Sequence, residues 1–126
     1  MVLPDFAVST KEAYAWLAHD RGTYEARSSV LQPTELDTWE GIAAVAMNDF
    51  EPVVGLRHPE IATYVEALRG AGALPAMMSG SGSAVFGIFA DAERARAAVD
   101  AAARAARARA RGLVVSTAAR VERVAT

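Results

Sequence analysis

The order strand, helix, inserted helix pair, strand, strand, helix, strand predicts an α+β sandwich of the ferredoxin-like type carrying inserted helices, with the helices on one face of an antiparallel sheet. Three observations carry that reading. Two short apolar runs, residues 74–78 and 84–89, flank a loop of alternating serine and glycine, as a hairpin requires. After Asp91 comes a long stretch rich in alanine and arginine and then a β-branched run at residues 113–118, a helix followed by a strand. Ahead of the hairpin, residues 11–18, 35–48 and 59–70 each repeat apolar side chains at helical spacing, which is more helix than the simple fold uses.

Composition sets the outer limits. At 126 residues the chain is one domain that can bury a single core. An apolar fraction of 52% with 22% charged residues belongs to a globular protein rather than a disordered one. No apolar run reaches the roughly 18 residues of a membrane span. The first residues also lack the basic-then-apolar order of a signal peptide, so a cytoplasmic location with no membrane partner is expected. The absence of cysteine removes disulfides, thiolate metal sites and cysteine nucleophiles. A net charge of -2 sets up no general field for nucleic acid.

Taken in order, residues 1–8 are strand-like, with Pro4 confined to a sheet edge or a strand end. A chain that opens inside a strand reads as part of something larger. Ser9 or Thr10 caps the helix at 11–18. Thr10 and Tyr14 stand four residues apart, so a ligand touching the hydroxyl also meets the ring; the plainer alternative is an N-cap beside a partly buried aromatic. Residues 19–33 are polar and broken by Gly22, Ser28, Ser29 and Pro33, which reads as a loop. His19 and His58 have no partner in ligand spacing, so no metal site is expected. Thr34 is placed to cap a helix over 35–48 whose Leu36, Trp39, Ile42, Ala43, Ala46 and Met47 form a core-facing stripe. Pro52 then ends or redirects that helix; Asn48 and Asp49, beside it, either bond local backbone or meet a ligand. In the helix over 59–70, Ile61, Tyr64, Val65 and Leu68 point inward, and Gly70 and Gly72 stop it.

The loop of the hairpin is Ser79, Gly80, Ser81, Gly82 and Ser83. Its glycines supply positive φ and leave amides uncovered, while three hydroxyls add donors, a surface suited to the phosphate side of a ligand. A hairpin whose glycines serve turn geometry alone is the competing reading, because the spacing matches neither GxGxxG nor GxxxxGK[ST]. In the second strand of the hairpin Val85 and Phe89 face one side and Phe86 and Ile88 the other, so both faces avoid water and the second needs a cover. The helix from Asp91 to about Ala110 has a thin face of Ala95, Val99, Ala102 and Ala106. Its arginines, Arg94 through Arg111, have no interleaved aromatics and suit a helix C-terminus better than nucleic acid. Gly112 ends this helix, and alternation continues past residue 118 through Arg120, Val121 and Glu122.

Three segments together point to a family. Val8-Ser9-Thr10-Lys11-Glu12-Ala13-Tyr14, Asn48-Asp49-Phe50-Glu51 and Met78-Ser79-Gly80-Ser81-Gly82-Ser83-Ala84-Val85-Phe86 occur in the order and approximate spacing of the C-terminal half of small-molecule kinases of the GHMP family. The chain resembles that half over nearly its whole length, and among its branches most resembles the one acting on 4-diphosphocytidyl-2-C-methylerythritol. The resemblance implies phosphorylation of the 2-hydroxyl of that substrate with ATP and Mg2+, in the non-mevalonate isoprenoid route. It also implies that Thr10 and Tyr14 line the substrate site, Tyr14 against the cytidine end, and that Ser79 to Ser83 closes the site near the transferred phosphate. The family's phosphate loop, Pro-x-x-x-Gly-Leu-Gly-Ser-Ser-Ala, and its phosphoryl-transfer lysine and aspartate belong to an N-terminal, ATP-binding domain and do not occur here. No catalytic residue is therefore assigned in this chain, and Lys11, its only lysine, lies in the substrate-side motif. The expected partners are that N-terminal domain and the cytidine diphosphate substrate; the chain alone is expected to bind no cofactor, to be inactive and to self-associate through its uncovered face. A homoserine- or mevalonate-type kinase domain, or a stand-alone ferredoxin-like binding or assembly domain, remain as alternatives.

Overall fold

A computed structural model describes residues 1–20 and 30–118. Four three-residue strands, β1 (Val2–Pro4), β2 (Ala76–Met78), β3 (Val85–Gly87) and β4 (Ala110–Gly112), form one antiparallel sheet in the order β2-β3-β1-β4. The helices are α1 (Thr10–Asp20), α2 (Trp39–Val45), α3 (Phe50–Gly55), α4 (Glu60–Gly70) and α5 (Ala92–Ala105), with a 3-10 turn at Pro33–Leu36. This is the expected ferredoxin-like α+β sandwich. Of the two helices that cover the sheet, α4 packs on β2 and β3, and α5 on β1 and β4, and the two also pack on each other. The inserted helices are therefore α1 to α3, and α4 takes the place of the first crossover helix.

The core lies between the sheet and these two helices. Val2, Ala76, Met78 and Val85 meet Ile61, Tyr64, Val65 and Leu68 of α4 and Ala98, Val99 and Ala102 of α5, all buried. The inward list for α4 is thus the one its helical spacing predicts. Alanines on α5 let it lie close to the sheet, and Gly112 continues this: a Cβ there would collide with Val99 Cγ1. Phe89 packs against the core on the Val85 side, whereas Phe86 lines a groove on the opposite side of the sheet. β2 is an outer strand, and on its outward side Ala76 O accepts a hydrogen bond from Arg69 Nη2 at 3.2 Å.

Four expectations change. The helix expected over 35–48 is a 3-10 turn and the separate helix α2, capped by Thr38 rather than Thr34: Gly41 N donates to Thr38 Oγ1 at 3.0 Å. Its supposed core stripe is not core, since α2 buries no residue and Leu36, Trp39 and Met47 are each half exposed or more. Periodicity reports an apolar face, and the described residues cover this one only in part, at Ile42, Ala43 and Ala46. Pro52 ends no helix; it sits in the first turn of α3, where its missing N–H costs nothing. The last strand lies at 110–112, not 113–118, because β1 pairs there (Val2 with Gly112, Leu3 with Arg111, Pro4 with Ala110) and the backbone turns extended at Ala106. The alternation through Arg120, Val121 and Glu122 and most of the 19–33 loop, with Gly22, Ser28 and Ser29, lie outside the described residues.

Candidate functional site

Helix α1 brings the first two predicted residues to the surface. Ser9 is its cap, accepting Glu12 N at its hydroxyl (3.4 Å) and Ala13 N at its carbonyl (2.9 Å). That leaves the Thr10 hydroxyl free of capping duty. Only Ala13 of α1 is fully buried, and Tyr14, one turn beyond Thr10, is 61% exposed. Its ring meets that of Phe50 of α3 in a T-shaped contact, centroids 4.9 Å apart and planes at 87°, and more than half of its surface stays exposed.

The Ser79–Ser83 loop is built by backbone and glycine together. Ser79 N donates to Ala84 O (2.8 Å) and Gly82 N to Ser79 O (3.0 Å). Gly80 and Gly82 have φ of 55° and 88°, in the left-handed region where a side chain is disfavoured. Around Gly80 the space is open, so its requirement is conformational alone; at Gly82 a Cβ would also stand 2.8 Å from Met78 Sδ. Two of the three serines are engaged at their hydroxyls. Ser83 Oγ donates to Phe6 O at 2.6 Å, and Ser81 Oγ shares a hydrogen bond of 2.9 Å with Thr10 Oγ1.

That last bond joins two predicted pieces of the site that are 71 residues apart in sequence. Tyr14 is joined to the loop only indirectly, through Phe50. The residues that make the join are Asn48 and Glu51. Asn48 Nδ2 donates to both Met78 O and Gly80 O at 2.8 Å, its Oδ1 accepts Phe50 N at 2.9 Å, and Glu51 Oε2 accepts Met78 N at 2.7 Å. Asn48 thus does more than either alternative supposes: it bonds local backbone and a distant loop at once. The signal available in sequence is an amide at a helix start with a carboxylate three residues on.

The same residues border a groove of about 1590 Å³ between α2 and the β2–β3 hairpin. Met47, Pro75, Met77 and Phe86 give it an apolar lining that reaches Ser79 and Gly80, but Thr10 and Tyr14 are not part of it. The loop and Tyr14 are the predicted site. There the chain offers an aromatic face, hydroxyls and glycine amides. No described hydroxyl of this site is bonded to a histidine or carboxylate, and among the described residues no group of three or more His, Asp or Glu side chains is placed to hold a metal. Among the described residues, then, no hydroxyl of this site is paired with a base that would activate it as a nucleophile. Among the described residues no helix is long and apolar enough to cross a membrane.

A split-sheet sandwich with inserted helices and a Ser-Gly loop tied to the first helix is the architecture of a kinase C-terminal domain, and residues 34–108 match the family model described as GHMP kinases C terminal. The chain belongs to this family. Its similarity narrows further to proteins named 4-diphosphocytidyl-2-C-methyl-D-erythritol kinase. That of Solibacter usitatus is 41% identical over 95 residues, 72% of this chain and 30% of that protein. That of Syntrophotalea carbinolica is 38% identical over 100 residues, 79% of this chain and 34% of that protein. The chain thus spans about a third of the length of these curated relatives. A crystal structure of 4-(cytidine 5'-diphospho)-2C-methyl-D-erythritol kinase superposes with a TM-score of 0.60 at 26% identity, over 86% of this chain and 40% of that one.

Proposed function

We propose that the chain is the substrate-side domain of a cytoplasmic kinase that transfers a phosphoryl group from ATP to the 2-hydroxyl of 4-diphosphocytidyl-2-C-methylerythritol in the non-mevalonate isoprenoid route. The observation that carries this is the Thr10–Ser81 hydrogen bond, which ties the helix bearing the exposed Tyr14 to the Ser-Gly loop. The names and coverage of the relatives support the choice of substrate. In this reading Tyr14 stacks on the cytosine ring, Thr10 lines the site beside it, and Ser79, Gly80, Ser81, Gly82 and Ser83 close over the acceptor near the incoming phosphate. Phosphoryl transfer rests mainly on positioning and charge stabilisation. This chain does the positioning of the acceptor. Among the described residues no group of three or more His, Asp or Glu side chains is placed to hold a metal, and in this reading ATP and its Mg2+ are held mainly by an N-terminal domain of the same enzyme.

Cytidine diphosphate titrated into the labelled chain is expected to move the amide resonances of Thr10, Tyr14 and residues 79–83, with homoserine and mevalonate leaving them in place. Shifts with either of those, and none with cytidine diphosphate, would move the assignment to another GHMP kinase; shifts with none would favour a stand-alone assembly domain. In the complete enzyme Tyr14→Ala is expected to raise KM for the cytidine substrate about fivefold or more, the worth of one aromatic stack, and to leave KM for ATP nearly unchanged. Equal changes in both constants would remove Tyr14 from the substrate site.

A further inference from the structure

We infer that Asn48 is the positioning residue of this site: its carboxamide fixes the Ser-Gly loop and the Tyr14 wall relative to one another. The catalytic consequence of this role rests on the kinase reading; its geometry does not. One end of the group donates both of its hydrogens to the loop, to Met78 O and Gly80 O; the other end accepts Phe50 N, the residue against which Tyr14 is braced. All three bonds are 2.8 to 2.9 Å; those with Met78 O and Phe50 N are partly buried, where water competes poorly, and the one to Gly80 O is exposed.

No other side chain type repeats this pattern. Aspartate at this position would keep the acceptor for Phe50 N but set a carboxylate against two carbonyl oxygens, while alanine supplies neither half and glutamine adds a methylene that displaces both. Gly80 O is the sensitive partner. Gly80 holds a φ of 55° with nothing within 4 Å of where a Cβ would stand, so no packing keeps this residue in place, and its carbonyl is held by Asn48. The Thr10–Ser81 bond on the other wall then depends on the loop geometry that Asn48 sets.

The test needs no activity. In Asn48→Asp at neutral pH, hydrogen exchange of the Ser79 and Gly82 amides, which donate to Ala84 O and Ser79 O, is expected to accelerate about tenfold or more, and the Tyr14–Phe50 ring contact to weaken, with core amides such as those of Leu68 and Val85 much less affected. Lowering the pH until the new carboxyl takes up a proton gives it a donor, and loop protection is expected to recover in part. Loop and core accelerating by one common factor, or no recovery in acid, would overturn the inference and reduce Asn48 to a stability residue. Should the variant fail to fold, the parent chain still decides: its two Asn48 carboxamide protons are expected to be distinct and slow to exchange, and fast exchange of both would refute the three-bond geometry. In the complete enzyme Asn48→Ala is expected to lower kcat about tenfold to a hundredfold with KM for ATP unchanged. Loop loosening without any effect on kcat would sink the catalytic part alone, whereas failure of the cytidine titration with the loop result intact would sink only the choice of substrate.

Discussion

Truncating Tyr64 to alanine is expected to cost about 3 to 5 kcal/mol of unfolding free energy, a large share of the roughly 5 to 15 kcal/mol that holds a typical domain. Tyr64 is the largest fully buried side chain, set in α4 between the sheet and α5, and its hydroxyl donates to Ala108 O at 3.2 Å. Alanine there leaves a cavity and strands a carbonyl. Chemical denaturation should show a lower midpoint at unchanged slope, and a loss below about 1 kcal/mol would mean the core is not centred where α4 meets α5. Tyr64→Phe separates the two contributions, since it keeps the ring and removes only the hydrogen bond, worth about 1 kcal/mol. It also changes the response to alkali. Burial, reinforced by the carboxylates of Glu60 and Asp5, raises the phenol above its ordinary value of 10.0. The folded state therefore holds this proton more tightly than the unfolded one: the stabilisation is complete below pH 10.0 and is lost as pH climbs through the higher folded value. The parent protein should weaken across that range more steeply than Tyr64→Phe.

Supplied with ATP, magnesium and 4-diphosphocytidyl-2-C-methylerythritol, the 126-residue chain by itself is expected to release ADP no faster than a protein-free control. The whole enzymatic acceleration, on the order of a millionfold or more, is what should be absent. Its one lysine, Lys11, is exposed on α1, and among the described residues no hydroxyl of the site is bonded to a histidine or carboxylate. An N-terminal domain added in the same polypeptide should restore turnover, while ADP formation by the chain alone would refute the two-domain reading. The same domain would cover apolar surface. Without it Leu36, Trp39 and Met47, all at least half exposed, favour self-association, and sedimentation over a concentration series should show the mass rising. A strictly monomeric chain at high concentration would show that this surface needs no partner.

What can be read in the sequence is whatever depends on periodicity and glycine. The α4 stripe, the hairpin around the Ser-Gly loop, and the Asp91 cap of α5 are all local patterns, and each is in place: Asp91 Oδ1 accepts Arg94 N at 2.8 Å. The errors share a cause. An apolar stripe at Leu36 to Met47 reports affinity for a covering surface without saying whether the chain contains that surface. The end of α5 is hidden by repeated alanine and arginine, which carry no stop signal, and the last strand is placed by pairing with β1 rather than by β-propensity. Thr10 and Ser81 each stand out in their own segment, yet their contact spans the fold and no local pattern announces it. Asn48 is harder to read, because an asparagine at a helix start has an ordinary local use, and here that use and the long-range one coexist.

The outer strand β2 has a further consequence for how this domain can meet other chains. An unpaired strand edge is a template onto which a foreign strand can zip, the first step of many aggregates. Here three of the outward groups of β2 are already taken: Ala76 O by Arg69, Met78 N by Glu51 and Met78 O by Asn48. The opposite edge, β4, is three residues long and presents the charged Arg111. Both margins of the sheet are thus poor templates for strand addition, by plugs on one side and by brevity and charge on the other. Whatever joins this domain must come against its open face, its groove or its loops, and the three residues plugging β2 keep a small, much-uncovered sheet from growing into a fibre.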